Sequence, residues 1–516
     1  MGLKLLAGFL TLLGLAAPLH GQSLDASACE KLASLKIEHV SLASRSVGAG
    51  EFSPPASPAG GVPNAPQAFA NLPAMCRVTA TLKPSSDSDI KVEVWLPVSG
   101  WNGKLQGVGN GGWAGSIFYF MMATALRSGY AVVATDTGHA GGMGDGTFAF
   151  NHPEKLTDFA WRAVHEMTVT AKAVIEAYYG NGPRLSYWNG CSTGGRQGLK
   201  EAQRYPSDYD GILDGAPANY MTHLSSHSLW VAHATLKDPA SYIPKEKFAA
   251  LHKAVIDACD GLDTVKDGVL ENPRQCKVDP KSIECPAGTD ASTCLTPPQV
   301  EAARKIYGPA RNPRTGAEIF PGLERGSEMG WGALAGGPAP LSISTDHFKY
   351  IVFKDPQWDY RTLDFDKDVA KADEIDSGLL NATSPNLRAF FNRGGKILMY
   401  HGWNDQLISP GNTINYYNSV VKELGPDTVS KSMRLFMVPG MDHCFGGDGP
   451  SLFDGMAALE QWVEQQKAPE QLIATHLANG KPDRTRPLCL YPKVAVYSGT
   501  GSTDDAANFV CKAQQQ

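Results

Sequence analysis

Ser192 stands in the run Gly190-Cys191-Ser192-Thr193-Gly194, directly after the strand-like stretch Arg184-Leu185-Ser186-Tyr187-Trp188. A G-x-S-x-G run between a strand and a helix makes a sharp turn that lifts a serine hydroxyl above the edge of a sheet. Small flanking residues permit the turn, and the N–H groups opening the next helix point at the same spot. A neutral hydroxyl is a weak nucleophile until an imidazole can take its proton. Two later segments offer that help. Lys396 to Tyr400 reads as a buried strand and runs into His401-Gly402-Trp403-Asn404-Asp405. Met433 to Val438 reads as another and runs into Pro439-Gly440-Met441-Asp442-His443-Cys444.

The chain order Ser192, Asp405, His443 is that of the nucleophile, acid and base of an α/β-hydrolase. His443 is the expected base, and the Asp405 carboxylate is expected to hold its ring in one tautomer and to stabilise the imidazolium that forms. Asp442 and His401 are ranked as supporting residues: the first sits beside the histidine, where its side chain should diverge, and the second precedes Asp405 on a glycine turn. An oxyanion needs two preorganised donors. The first expected is the N–H of Thr193, the residue after the nucleophile, and the second is Gly109, in the glycine-rich run 107–112 after the strand ending at Leu105.

These loops must be positioned by an open α/β sheet, whose crevice lies at the carboxyl ends of its strands. The strand-then-helix alternation stops after Gly211 to Leu213 and resumes at Arg388; between them come cysteines, Pro297-Pro298 and glycine-rich stretches such as 330–337. The fold class expected is therefore α/β, with an α/β-hydrolase core over 22–216 and 389–516 and an inserted lid over 217–388. The insertion falls between Ser192 and the other two residues, so it returns the chain to the same sheet and should sit over the site. Met1 to Lys4 and the apolar run Leu5 to Ala17 read as a signal peptide, 1–21, too short to span a bilayer. The Ser/Pro/Gly/Ala-rich segment 53–66 reads as a surface loop. A secreted location, extracellular or periplasmic, follows.

Cys191 precedes the nucleophile and Cys444 follows the base, so a bridge between them would tie the two loops together. On the chain-entropy model so long a loop is worth roughly 5 kcal/mol, less any strain. With these features the chain resembles the tannase/feruloyl esterase family, whose mark is a disulfide joining the neighbours of the catalytic Ser and His. The resemblance rests on Gly109-Asn-Gly-Gly-Trp-Ala-Gly115, Thr135-Asp-Thr-Gly-His139, His165-Glu166, Gly190-Cys-Ser-Thr-Gly-Gly-Arg196, Asp210-Gly-Ile-Leu-Asp-Gly-Ala-Pro217, His401-Gly402 with Asp405, and Pro439-Gly-Met-Asp-His-Cys444. It implies an α/β-hydrolase core with a lid inserted after the strand at Gly211, and a serine esterase. Ten cysteines in an exported chain are expected to form up to five bridges, which sequence alone does not pair. The resemblance implies Cys29 with Cys76, Cys191 with Cys444, Cys259 with Cys276, Cys285 with Cys294, and Cys489 with Cys511.

Inside the inserted segment, Asp260, Asp263 and Asp267 occur on a glycine-turned loop with Val265 and Val269 between and after them. Hard cations take carboxylate and carbonyl oxygens, so the three aspartates with the Val265 and Val269 carbonyls make a candidate Ca2+ set. Spacing alone suits a solvated acidic turn equally, and the loop is not an EF-hand. The enclosing Cys259–Cys276 bridge and a matching loop in the family imply a structural Ca2+. No organic cofactor is expected, and no Cys/His spacing suits zinc once the cysteines are bridged. A net charge of −6 without a basic cluster argues against nucleic acid or an anionic membrane as partner.

The resemblance implies a phenolic aromatic ester or an ester-decorated plant polymer as substrate, feruloyl esters first and galloyl esters as the alternative. A mono-hydroxyethyl terephthalate hydrolase-like activity is a further alternative, weakened because no arginine lies between Gly336 and Tyr360 to pair with a free carboxylate. An inactive secreted binder of aromatic or polysaccharide ligands is the alternative of another class, and the complete triad stands against it. Trp230, Trp331, Phe353, Trp358 and Tyr360 in the insertion are expected to form its own core more than a ligand cage.

Overall fold

A computed structural model describes residues 26–55, 68–334 and 337–513. The expected signal peptide and most of the segment 53–66 lie outside the described residues. The first part of the chain builds β1 (Val40–Val47), β2 (Met75–Leu82), β3 (Ile90–Pro97), β4 (Lys104–Val108), β5 (Ala131–Thr135), β6 (Leu185–Cys191) and β7 (Gly211–Gly215). The insertion contributes helices and a small hairpin of β8 (Ala310–Arg311) and β9 (Glu318–Phe320). The chain then returns as β10 (Lys396–Gly402) and β11 (Met433–Val438). It ends in two antiparallel ribbons, β12 (Gln471–Ala478) with β13 (Lys481–Cys489), and β14 (Lys493–Tyr497) with β15 (Phe509–Ala513).

Nine strands form one sheet in the order β1-β2-β3-β5-β4-β6-β7-β10-β11. The pairs from β5 through β11 are parallel, and β1, β2 and β3 add an antiparallel edge. Every residue of β4, β5, β7 and β11 is buried, as parallel strands covered on both faces must be. β1 instead alternates half-buried and exposed positions, as an edge strand does. This is an α/β-hydrolase-type fold, and the carboxyl ends of β6, β10 and β11 deliver Ser192, Asp405 and His443 to one crevice.

Between β7 and β10 the insertion packs on itself. Leu229, Phe320, Phe348 and Leu363 share one apolar cluster, and Val231, Phe248, Leu295 and Trp331 share another. Of the aromatic residues singled out by sequence, Trp331 and Tyr360 are buried, and Phe353 stacks on Trp358 at 5.1 Å between ring centres. The insertion also grips the core: Trp113 Nε1–H donates to Ile343 O at 2.9 Å, and Arg196, fully buried in the elbow helix, donates to Leu380 O at 3.2 Å.

All ten cysteines are bridged: Cys29–Cys76, Cys191–Cys444, Cys259–Cys276, Cys285–Cys294 and Cys489–Cys511. The Cys191–Cys444 bridge joins positions 253 residues apart in sequence and brings their Cα atoms to 5.9 Å. No helix among the described residues is long and apolar enough to cross a membrane.

Candidate active site

Ser192 adopts φ 63° and ψ −123° between β6 and the helix Thr193–Arg204. A residue other than glycine held at positive φ costs on the order of 1–3 kcal/mol, so neighbouring structure must impose it. Here Ser192 N–H donates to Gly215 O at 2.9 Å, and its carbonyl accepts the N–H groups of Arg196 at 3.1 Å and Ala218 at 3.0 Å. The turn also needs a bare Cα at Gly190, where a Cβ would come within 2.4 Å of Gly194 O. The serine is only partly buried at the top of this elbow.

Asp405 is fully buried, yet both its oxygens are satisfied. Oδ2 accepts His443 Nδ1–H at 2.7 Å and His401 Nε2–H at 3.0 Å, while Oδ1 accepts the N–H groups of Leu407 at 2.9 Å and Ile408 at 2.8 Å. Burial by itself would raise this acid's pKa. The charge of His443 and the hydrogen bonds from His401 and His443 outweigh it and hold the carboxyl well below the ordinary carboxylate range. An ionised Asp405 fixes the His443 proton on Nδ1 and leaves Nε2 with a lone pair, the form a general base needs. The Cys191–Cys444 bridge joins the residues next to Ser192 and His443 and so holds the loops of nucleophile and base side by side.

The two supporting residues part company. His401 is fully buried; Thr413 Oγ1–H donates to its Nδ1 at 2.7 Å, and its Nε2–H is shared between Asp405 and Ile408 O, each at 3.0 Å. Both nitrogens are committed, so it cannot serve as the base and instead orients Asp405. Asp442 makes no hydrogen bond to the His443 ring among the described residues. Burial, with Asp448 and Asp405 adding, pushes its carboxyl up to about 6.

On the oxyanion side, Thr193 N–H meets no acceptor among the described residues, and Thr193 Oγ1 donates to Gly112 O at 2.9 Å, which pins the glycine-rich loop beside the elbow. The expectation for Gly109 needs correction. Its N–H donates to Asn189 O at 3.0 Å, and a Cβ there would lie 2.5 Å from Gly194 Cα, so it is a close-packing glycine whose amide is already spent. Asn110 N–H is likewise taken by Gln197 Oε1 at 3.1 Å. The next amides, Gly111 and Gly112, meet no acceptor among the described residues.

The acidic loop of the insertion lies against the C-terminal ribbons, and Val269 at its end packs close to Gly440 in the loop after β11. Asp263, Val265, Asp267 and Val269 line a cavity of about 10 Å³, together with Glu271 and Arg486. That is room for one water-sized or ion-sized guest. Asp260 stands outside its lining and accepts the N–H groups of Asp267 at 3.3 Å and Gly268 at 3.0 Å. Burial first, then Asp267 and Asp260, pushes Asp263 up to about 6, and burial pushes Glu271 up to about 8. The donor set is of the kind a hard cation takes, since Asp263, Asp267 and Glu271 bring three carboxyl side chains to the cavity. Arg484 and Arg486 of β13 already meet Asp267, which satisfies part of that charge. Sequence reading missed Glu271 and this pair; Glu271 continues the acidic spacing of the loop, whereas the arginines arrive from a distant strand.

The model of the family described as tannase and feruloyl esterase matches residues 76–512. An uncharacterized esterase of Xanthomonas campestris pv. campestris is 37% identical over 97% of this chain and 94% of its own length. A probable feruloyl esterase B-1 of Aspergillus flavus is 34% identical over 85% of this chain and 86% of its own. The crystal structure of feruloyl esterase B from Aspergillus oryzae superposes with a TM-score of 0.87 at 30% identity, covering 94% of this chain and 100% of that one. The chain belongs to the tannase and feruloyl esterase family and is a carboxylic ester hydrolase.

Proposed function

We propose that this esterase acts outside the cytoplasm on esters of phenolic aromatic acids, feruloyl and related hydroxycinnamoyl esters foremost, through an acyl-enzyme on Ser192. The observation that carries the serine chemistry is the ionised Asp405 locked between His443 and His401 behind a strained serine elbow. Similarity to proteins named feruloyl esterases over most of the chain supports the acid side. Five disulfides support an oxidising compartment.

In this reading His443 Nε2 takes the Ser192 Oγ proton as Oγ bonds to the ester carbonyl carbon. The N–H of Thr193, with that of Gly111 or Gly112, stabilises the resulting oxyanion. His443 then gives its proton to the departing alcohol oxygen. Water repeats the sequence on the acyl-enzyme, and its proton returns through His443 to Ser192 as the free acid leaves. Asp405 stabilises each imidazolium without taking a proton itself.

The reading extends to a structural Ca2+ held by Asp263 and Asp267 with the carbonyls of Val265 and Val269, and with Asp260 and Glu271 supporting them. Its positive charge would offset the crowded carboxyls and fasten the insertion to the C-terminal ribbons.

The test is a panel of methyl ferulate, methyl gallate, mono-hydroxyethyl terephthalate and p-nitrophenyl acetate, run on the mature protein beside Ser192→Ala. The expected result is the highest kcat/KM on methyl ferulate and loss of turnover in the variant by at least about 10⁴-fold. Preference for methyl gallate or the terephthalate half-ester would overturn the substrate reading, and retained turnover in Ser192→Ala would overturn the mechanism.

A further inference from the structure

The helix Thr193–Arg204 that begins at the nucleophile ends on a second chemical cluster. Glu201 in its last turn, Asp208 in the turn before β7 and His165 near the start of the helix Ala163–Tyr179 bring three ligand-type atoms within 4.8 Å of one another. At 1.5 Å per residue, Glu201 lies about 13 Å down the helix from Ser192, outside the esterase machinery. His165 Nδ1 is 2.7 Å from Asp208 Oδ2, and its ring is held flat against Tyr205, 3.7 Å between ring centres.

Glu201 is the unexplained member. It is 1% exposed, and neither carboxylate oxygen has a hydrogen-bond donor among the described residues. A buried carboxylate without donors must either give up its charge or meet a cation. The cations at hand do not settle it: Lys172 Nζ donates to the main-chain carbonyl of Asp208 at 2.7 Å, and the Arg204 guanidinium lies over the Trp161 ring at 4.0 Å. Burial and the facing Asp208 carboxylate both push Glu201 well above the usual carboxylate range.

We propose that His165, Glu201 and Asp208 form a binding site for a divalent transition-metal ion of the Zn2+ or Mn2+ class, which clamps the foot of the elbow helix to the neighbouring helix and the start of β7. An imidazole nitrogen with two carboxylates suits such ions, whereas Ca2+ and Mg2+ favour all-oxygen cages. His165 keeps 24% of its side chain exposed, which gives an entry path from solvent, and a solvent molecule completes the coordination. For Zn2+, ligand distances of about 2.0–2.2 Å in a tetrahedral site need donor atoms about 3.3 Å apart, so the His165–Asp208 pair opens by roughly 0.6 Å as the ion replaces the proton between them. The ion's role is structural, because no substrate-facing residue belongs to the cluster.

The test uses tag-free mature protein, stripped with EDTA and returned to buffer containing millimolar Ca2+, so that the acidic loop does not compete. Zn2+ is titrated calorimetrically, and Co2+ is followed by its visible absorption. One ion of each should bind per chain and raise the melting temperature. Glu201→Gln and His165→Gln should each weaken binding beyond the roughly 10–100-fold that altering an outer partner costs, while Asp263→Asn leaves it intact. His165 is partly exposed, so its variant carries the test should Glu201→Gln fail to fold. Absence of Zn2+ and Co2+ binding by the wild type, or unchanged binding in both ligand variants, would overturn the site and leave Glu201 as a neutral acid sharing a proton with Asp208.

Discussion

The loops after β10 and β11 each bring an aspartate to the same crevice, and the two acids behave oppositely. Asp405 is the more deeply buried, yet two imidazoles and two main-chain amides keep it ionised. Asp442 is only partly buried, yet its carboxyl is pushed up to about 6 because burial and the acids Asp448 and Asp405 outweigh the charges of His252 and His443, with no hydrogen-bond donor to its oxygens among the described residues. Depth alone does not set the protonation state; the number of donors aimed at the oxygens does. The acid that can orient an imidazolium is the one whose charge is already stabilised before the histidine asks for it.

The largest break in this comparison is Asp405→Asn. A carboxamide keeps the size but can offer Nδ1 the wrong group and cannot stabilise the imidazolium, so kcat should fall by about 10³–10⁴-fold with the fold retained. His401→Gln should fall between this and wild type, because one donor to Asp405 is lost while His443 stays. Steady-state kinetics beside circular dichroism check both. An Asp405→Asn enzyme within tenfold of wild type would mean that another group orients His443.

The next effect sharpens the role of the β11 loop. Cys444 sits at φ 70° directly after His443, and its bridge ties that loop to the elbow. Cys191→Ala/Cys444→Ala should lower the melting temperature, since a closed loop of this length is worth roughly 5 kcal/mol on the chain-entropy model. It should also reduce kcat by displacing His443 from Ser192, with KM moving less. Wild-type kcat in a protein that melts earlier would show that the sheet alone positions the base. Smaller again is the effect of losing the calcium proposed for the acidic loop. Asp263→Asn should lower the melting temperature and leave kcat at low temperature unchanged, and Ca2+ returned after chelation should restore stability to the wild type and not to the variant, as calorimetry and a rate assay would show.

How much of this was legible in the sequence follows the same logic of local against distant partners. The serine elbow, β10 and β11 were readable because a continuous apolar run ending in a polar loop is a local signal. All five bridges, implied by family likeness, appear in the structure. Gly109 was misread because nothing local reveals that Asn189 O takes its amide. His401 was ranked near the site, but its grip on Asp405 depends on Thr413 and Ile408 filling its remaining bonds. The antiparallel edge of β1 to β3 and the C-terminal ribbons carry mixed, half-exposed patterns that announce no partner. Arg484 and Arg486 reach the acidic loop from β13, more than two hundred residues on.

The smallest effect tests Asp442 itself. Its folded-state pKa of about 6 stands above the unfolded value of about 3.9. Between those values the folded protein holds a proton that the unfolded chain has released, so this group's contribution to stability is complete below about pH 4 and is lost as pH rises through 6. The charged groups facing it are Asp448 and Asp405, which raise the value, and His252 of the insertion and His443, which lower it. Asp442→Asn cannot ionise and should therefore lack this group's share of the loss across that window, a gain of about 1 kcal/mol over wild type at pH 7 once solvent screening of a partly exposed acid is allowed for. Its kcat should stay within a few-fold of wild type, in contrast to Asp405→Asn, because the His443 ring takes no hydrogen bond from this side chain. Urea midpoints measured from pH 4 to pH 8 for both proteins provide the reading. Parallel curves would show that Asp442 titrates normally and that the two loops differ less than their donors imply.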